Sequence, residues 1–309
     1  MMIDEEPLPQ RNDKRQRPPV RKRAWRRCWR PALVLFVGWW VIGWLGAYAS
    51  TLPHPSTIRD RRAIGGHAVE NLDVVTSDGL TVRAWLLDVP ADRRRCVVLA
   101  SGIRGNRERL VSRAAFYAEL GWSSLLVDLR GTGTSDRARI SMGWHEALDL
   151  VAWHDVLQKR GYQVVGVHGQ SLGAAAAAYT SVRTSNPPAW DFVVLEACYC
   201  DIAAALQARA FGLPRVLLAP VFLSAEWLLD VSADDLDPVA ALRRQSAPLL
   251  VACGTLDHKV GPDATTQLLA ASPAKDKVRC DVPGVGHRDL WRGGDSELGV
   301  ALREFLQRR

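Results

Sequence analysis

Short apolar runs alternate with helix-like segments along most of this 309-residue chain, and this alternation limits the fold more than any other feature. Runs without interspersed polar residues are typical of strands that are covered on both faces, as in a parallel sheet. Strands that alternate with helices predict βαβ units. We therefore expect an α/β fold with a mostly parallel, twisted sheet that is flanked by helices. The predicted central strands are 96–100, 124–129, 164–167, 192–197 and 249–253.

The remaining elements complete this layout. A hairpin is predicted at the start of the sheet, because two strand-like runs flank the turn Ser77-Asp78-Gly79. Residues 199–247 are too long for an ordinary crossover and contain apolar helical runs, so we expect a helical cap insertion there. The other predicted elements are the strands 72–77, 80–89 and 277–283 and the helices 107–120, 144–160, 171–183, 262–272 and 290–308.

The N-terminal part of the chain has a different composition. Residues 1–30 are rich in Arg, Lys and Pro, which predicts a basic, disordered tail. Residues 32–52 carry no charge over 21 positions, about the length that crosses a bilayer as a helix. We therefore predict a transmembrane signal-anchor helix at 31–52, a linker at 53–71, and the α/β domain at 72–309 with the cap insertion at 199–247.

The basic residues predict the orientation of this segment. Ten Lys and Arg residues lie within 11–30, and only three follow the apolar segment closely. By the positive-inside rule, the N-terminus stays in the cytoplasm and the domain lies on the extracytoplasmic side. A cleaved signal peptide is the alternative, since Ala47-Tyr48-Ala49 matches a small-x-small cleavage site. The long leader and the tryptophans of the segment favour an anchor.

The net charge of +7 does not indicate a nucleic-acid partner. Residues 1–62 hold 13 of the 40 Lys and Arg residues and 5 of the 33 Asp and Glu residues. The rest of the chain therefore has no basic excess that would bind a phosphate backbone.

One serine lies between two glycines, directly after the predicted strand 164–167. The sequence reads Gly169-Gln-Ser-Leu-Gly173, and five alanines follow. Gly-x-Ser-x-Gly between a strand and a helix is typical of a nucleophile elbow, a tight turn that lifts the hydroxyl above the sheet. Ser171 is therefore the candidate nucleophile, and an ordinary turn serine is the alternative.

A serine hydroxyl needs a base and an orienting carboxylate to become a nucleophile. His287 lies in a glycine-rich loop after the last predicted strand, and Asp257 follows the strand 249–253. The order Ser171, Asp257, His287 is the one expected for this type of site. His258 competes with His287 as the base, and Asp257 would otherwise be a turn or cap residue.

Two backbone N–H groups are candidates for binding the oxyanion of such a reaction. One belongs to Leu172, which follows the nucleophile, and the other to Ile103, in the loop after the strand 96–100.

Four stretches of the chain together resemble the α/β-hydrolase superfamily. They are SGIRGNRE at 101–108, DLRGTGTS at 128–135, GQSLG at 169–173, and GTLDHKV at 254–260 with GVGH at 284–287. The chain is most similar to the membrane-anchored esterase, monoacylglycerol-lipase and depalmitoylase-like branch. Ser101 stands where that family usually has His, and Ala174 where many relatives have another Gly.

The resemblance implies a serine hydrolase that cleaves carboxylic esters or thioesters, including lipid acyl esters, through an acyl-enzyme and without a cofactor or metal. A serine peptidase of the same fold and a non-catalytic binding protein are the alternatives. The acyl group, the leaving group, hydrolysis versus acyl transfer and the oligomeric state stay open. The pairing of five cysteines also stays open: Cys96, Cys198, Cys200, Cys253 and Cys280.

Overall fold

The structure, a computed structural model, describes residues 22–90, 94–260 and 263–309, without the side chains of residues 22–28. Residues 1–21 of the predicted tail and the predicted helix start at 262 lie outside this part. The described residues from Gly43 to Arg309 form one compact unit, and the described residues before Gly43 belong to another.

The strands of the second unit form one large sheet and one small ladder. Within the described residues, the large sheet has nine strands in the order β11-β10-β9-β8-β5-β6-β4-β3-β2, and β1 pairs with β7. The strands are β1 (His54–Pro55), β2 (Ala63–Ile64), β3 (His67–Val75), β4 (Thr81–Leu87), β5 (Arg95–Ala100), β6 (Ser123–Asp128), β7 (Thr132–Gly133), β8 (Val164–Gln170), β9 (Phe192–Glu196), β10 (Leu249–Gly254) and β11 (Lys277–Val282). From β6 to β11 the large sheet is parallel, whereas β2, β3 and β4 join antiparallel. The mostly parallel sheet with an antiparallel start is thus confirmed.

Helices cover both faces of the large sheet. The helices of the described residues are α1 (Lys22–Ser50), α2 (Val111–Glu119), α3 (Glu146–Lys159), α4 (Leu172–Tyr179), α5 (Ile202–Arg209), α6 (Arg215–Leu229), α7 (Pro238–Leu242), α8 (Ala264–Ala271) and α9 (Glu297–Leu306). Apolar side chains of α3, α4, α7 and α8 form the core on one face. Those of α2 and α9 form the core on the other. Burial on both faces explains why the parallel strands read as continuous apolar runs.

Several predicted boundaries differ from the structure. The last helix begins at Glu297 rather than at 290, because the positive φ of Gly293 (108°) breaks the backbone and Ser296 caps the helix. A 3₁₀ turn, Arg107–Leu110, precedes α2. Residues 53–71 contain paired strands, since β1 binds β7 and β2 binds β3.

One helix in the described residues, Trp29–Ser50, is long and apolar enough to cross a membrane, with a mean hydropathy of 1.8. It belongs to α1, which begins at Lys22 and contains Pro31 in its interior rather than in its first turn. The difference from the predicted start arises because Lys, Arg, Ala and Trp of 22–30 all tolerate a helix.

Candidate active site

The turn at Ser171 is tight enough to require both of its flanking glycines. Ser171 has φ 49° and ψ −105°, between the end of β8 and the start of α4. A Cβ atom on Gly169 would lie 2.2 Å from the carbonyl oxygen of Gly173. A Cβ atom on Gly173 would lie 2.6 Å from the carbonyl oxygen of Ala100. The sequence Gly-x-Ser-x-Gly therefore has a steric cause, and the strained serine is held by its N–H bond to Glu196 O (2.8 Å).

The five alanines after the elbow are completely buried. They let α4 lie close to its neighbours: a Cβ atom added to Gly143 would come 2.7 Å from the backbone nitrogen of Ala176. Larger side chains would push α4 away from the sheet and displace its N-terminal end, where Ser171 lies.

The structure brings Ser171, His287 and Asp257 together in one hydrogen-bonded row. Ser171 Oγ lies 3.2 Å from His287 Nε2. His287 Nδ1 lies 2.8 Å from Asp257 Oδ2. The serine and the histidine are separated by 116 positions along the chain, so the fold alone creates this contact. The row has the order that transfers a proton from a hydroxyl to an imidazole beside a carboxylate.

Asp257 is buried, with a fully covered side chain. Its Oδ1 accepts the N–H groups of Lys259 (3.0 Å) and Val260 (3.3 Å). Burial raises the pKa of Asp257, but the hydrogen bond and charge of His287 and these two N–H groups outweigh it, so the pKa lies below its usual value. Asp257 is therefore a carboxylate at neutral pH and can hold His287 Nδ1 protonated.

The loops that carry Asp257 and His287 are bonded to each other. Leu256 N–H donates to Val285 O (2.9 Å), and Gly284 N–H donates to Thr255 Oγ1 (3.0 Å). Gly254 allows this approach, because a Cβ atom there would lie 2.1 Å from Val285 O. The loops of the acid and the base are therefore joined directly.

The loop that holds Ile103 lies beside the serine. A Cβ atom on Gly102 would approach Ser171 Cβ to 3.3 Å. Ser101, in the position where relatives usually have His, is buried under the turn at Gly105. Across the described backbone, the N–H groups of Ile103 and Leu172 have no hydrogen-bond acceptor of their own. Neither predicted donor is thus bound to an acceptor within the described residues.

Two clefts lie near the C-terminal edge of the parallel strands. A cleft of about 180 Å³ is lined by Ser171, His287, Ile103 and polar neighbours that include Arg109 and Asp289. A larger cavity of about 440 Å³ lies under α5 and α6, and none of the three residues of the row lines it. We take the smaller cleft as the candidate active site because Ser171 and His287 line it.

A buried ionic network beneath this cleft was missed by the sequence analysis. Arg113 donates to both carboxylate oxygens of Glu196 (3.0 and 2.8 Å) and to Asp289 Oδ1 (2.5 Å). His168 Nε2 lies 2.5 Å from Glu196 Oε1, and its Nδ1 lies 3.0 Å from the hydroxyl of Tyr117. Arg113 is only 1% exposed, although arginine is usually a surface residue. The available signal was a glutamate that ends an otherwise apolar strand.

The charges of this network stabilise one another. Burial by itself would raise the pKa of Glu196, but Arg113 and His168 lower it to about 2. Asp289 also lines the cleft, two residues after His287. The network therefore connects the histidine loop to Glu196 at the end of β9, whose carbonyl oxygen accepts the N–H of Ser171.

The second stretch of the resemblance, 128–135, has contacts that brace the fold. Asp128 accepts the N–H groups of Arg107 (2.8 Å) and Thr134 (3.0 Å). Arg130 binds Asp149 (2.7 Å) and Asp78 (2.5 Å). Arg107 is buried among these contacts.

Other predicted participants lie apart. His258 is exposed and its ring has no hydrogen bond within the described residues. Of the six cysteines, the five with described side chains are unpaired thiols, and burial raises the pKa of Cys253 and of Cys280 to about 11. In the described ranges, no group of three His, Cys, Asp or Glu side chains is arranged to hold a metal ion.

Comparisons with known proteins agree with this fold. Residues 91–235 match a family described as serine aminopeptidase, S33, a range that contains Ser171 and ends before Asp257 and His287. An uncharacterized protein of Mycobacterium tuberculosis is 29% identical over 245 residues, which cover 75% of this chain and 77% of that protein.

Two solved structures illustrate the breadth of the likeness. An esterase of Pyrococcus furiosus has a TM-score of 0.63 at 19% identity, over 83% of this chain and 98% of the esterase. A puromycin-hydrolyzing peptidase of Mycobacterium tuberculosis has a TM-score of 0.58 at 15% identity, over 79% of this chain and 39% of the peptidase. At such identities the likeness establishes the fold and leaves the substrate undetermined.

Proposed function

We propose that this chain, a hydrolase of the α/β-hydrolase superfamily, cleaves carboxylic ester or thioester bonds through a Ser171–His287–Asp257 triad and an acyl-enzyme. The observation that carries this proposal is the row of contacts from Ser171 Oγ to His287 Nε2 (3.2 Å) and from His287 Nδ1 to Asp257 Oδ2 (2.8 Å). The strained backbone of Ser171 supports the same role.

The reaction would proceed in two halves. Ser171 Oγ attacks the carbonyl carbon while His287 Nε2 takes the hydroxyl proton, and Asp257 stabilises the imidazolium. The N–H groups of Ile103 and Leu172 would bind the oxyanion. His287 then gives its proton to the leaving alcohol or thiol. In the second half, water attacks the acyl-enzyme while His287 takes its proton. His287 then returns the proton to Ser171 Oγ as the carboxylic acid is released.

We also propose that residues 31–52 anchor the domain in a membrane, with the N-terminus in the cytoplasm and the domain at 72–309 on the extracytoplasmic side. The helix Trp29–Ser50 supports an anchor by length and hydropathy. The basic residues within 11–30 support the orientation. A lipid acyl ester would be a natural substrate at this location.

A serine peptidase is the second candidate, because the matched family is described as serine aminopeptidase. An aminopeptidase needs an acidic group for the substrate's amino terminus. The carboxylate of Asp289 lines the cleft, but it is already bound to Arg113 at 2.5 Å. This ion pair favours an ester hydrolase over an aminopeptidase.

The experiment is a panel of esters and thioesters of increasing acyl length, together with aminoacyl amides. Wild type should turn over one or more esters, and Ser171→Ala should lose roughly 10⁴-fold or more of that rate. Ser185→Ala, at an exposed serine, is the matched control and should retain it. Turnover of amides alone would support the peptidase instead.

A further inference from the structure

We infer that the cap carries a lipid-binding surface, formed by Phe211, Val216, Leu223 and Trp227, which we call the cap stripe. It would lie in the interfacial region of the membrane that anchors the chain, so the inference rests on the membrane anchor proposed above. It does not depend on the proposed chemistry.

The cap stripe consists of four exposed apolar residues, three of which share one side of α6. Phe211 is fully exposed in the turn before α6, and Val216, Leu223 and Trp227 are 69%, 51% and 77% exposed. A helix turns by about 100° per residue, so positions 216, 223 and 227 fall on one side of α6. A patch of this kind marks a site of interaction with an apolar partner.

The charged residues of α6 are engaged elsewhere. Arg215 pairs with Asp201 at 2.7 Å. Glu226 accepts the N–H of Ala233 at 2.8 Å. The cap stripe itself is uncharged, which suits burial among acyl chains.

The end of the apolar helix α1 packs directly beside the cap stripe. A Cβ atom on Gly43 would lie 2.4 Å from Pro220 Cβ, and one on Gly46 would lie 3.9 Å from Val221. Pro220 is one turn from both Val216 and Leu223, so it shares their side of α6. Within the compact unit that begins at Gly43, the cap therefore contacts the same helix that would leave the membrane.

The position of this contact along α1 indicates how deep in the membrane the cap would lie. Gly43 precedes Ser50, the end of the candidate span, by seven residues. At a rise of 1.5 Å per residue this is about 10 Å along the helix. If Trp29–Ser50 crosses the hydrocarbon core of about 30 Å, Gly43 lies inside its boundary. An amphipathic helix typically lies about 5–10 Å inside that boundary. Because α6 packs against α1 at Gly43, its cap stripe would lie at a similar depth, next to lipid.

Photocrosslinking of the full chain in vesicles of phosphatidylcholine and phosphatidylglycerol tests this surface. Benzoylphenylalanine replaces Phe211 or Trp227, in a Ser171→Ala background so that no lipid is consumed. Val75, 65% exposed on β3, is the matched control, and Leu35, 75% exposed on α1, reports the anchor. Adducts are identified by mass spectrometry.

We expect phospholipid adducts at positions 211, 227 and 35, and none at position 75. Lipid adducts at 35 but not at 211 and 227 would overturn the lipid-binding surface while leaving the anchor intact. Crosslinks from 211 or 227 to a second copy would instead assign the stripe to a dimer, and crosslinks to the Ser171 cleft would assign it to cap closure. Absence of lipid at position 35 would remove the anchor and this surface together.

Discussion

Ser171 shows how much one residue depends on its neighbours. Its φ of 49° is rare for a non-glycine residue, and it persists because β8, α4 and the backbone of Glu196 fix it from three sides. Gly169 and Gly173 matter in the same way, since neither has room for a Cβ atom.

We predict that Gly169→Ala destabilises the protein by more than about 3 kcal/mol, because the new Cβ atom would meet backbone at 2.2 Å. Gly79→Ala is the control. Gly79 has φ 87° but open surroundings, so its replacement should cost only about 1–2 kcal/mol. Chemical denaturation in detergent measures both, and equal costs would contradict the steric explanation.

The Glu196 carboxylate predicts an acid-labile part of the stability. Its pKa of about 2 in the folded protein lies below its ordinary value of 4.5, so its contribution is fully present above pH 4.5 and is lost as the pH falls toward 2. Glu196→Gln should remove that part, roughly 3 kcal/mol, and flatten the decline. Unfolding free energies of both proteins between pH 5 and 3 test this, and parallel curves would refute it.

Asp289 should affect the reaction more than the stability. It is partly exposed and ties the histidine loop to Arg113, while Glu196 keeps Arg113 neutralised when Asp289 is changed. We expect Asp289→Asn to lower kcat several-fold and stability by no more than about 1 kcal/mol. Asp281→Asn breaks an exposed pair with Arg279 and should leave kcat unchanged. A change in stability without a change in kcat would make Asp289 purely structural.

At the scale of elements, the cap stripe predicts a difference between two kinds of substrate. Trp227→Asp should slow the turnover of a long-chain ester in vesicles roughly tenfold, because a large apolar side chain is lost from the lipid contact. A short soluble ester should be hydrolysed at the wild-type rate. Val300→Asp, at an exposed valine of α9, should change neither rate. Equal slowing of both substrates by Trp227→Asp would point to damage of the cap instead.

Elements were predictable where local sequence decides them. The parallel strands are apolar because both faces are covered, and Gly169 is required by its contact with Gly173, only four residues away. The burial of Arg113 was not predictable, because its partners Glu196 and Asp289 are 83 and 176 positions away. The pairing of β1 with β7 was not predictable either, because the two strands are far apart in the sequence and a two-residue strand has no periodicity of its own.

At the scale of the whole molecule, charge and hydropathy are divided along the chain. The basic excess precedes the apolar helix, and the body that contains the cleft is nearly neutral. We predict that a reporter active only outside the cytoplasm, fused after Arg309, is active in cells. Replacing the Lys and Arg residues within 11–30 by Gln should reduce this activity. A reporter active only in the cytoplasm would contradict the proposed orientation.

The central claim is that Ser171 is the residue that becomes acylated. A fluorophosphonate probe followed by peptide mapping tests it most directly, with wild type, Ser171→Ala and the Ser185→Ala control treated in parallel. The account predicts one adduct, on Ser171, in wild type and in Ser185→Ala, and none in Ser171→Ala. Equal labelling of Ser171→Ala, or no labelling of folded wild type, would contradict it.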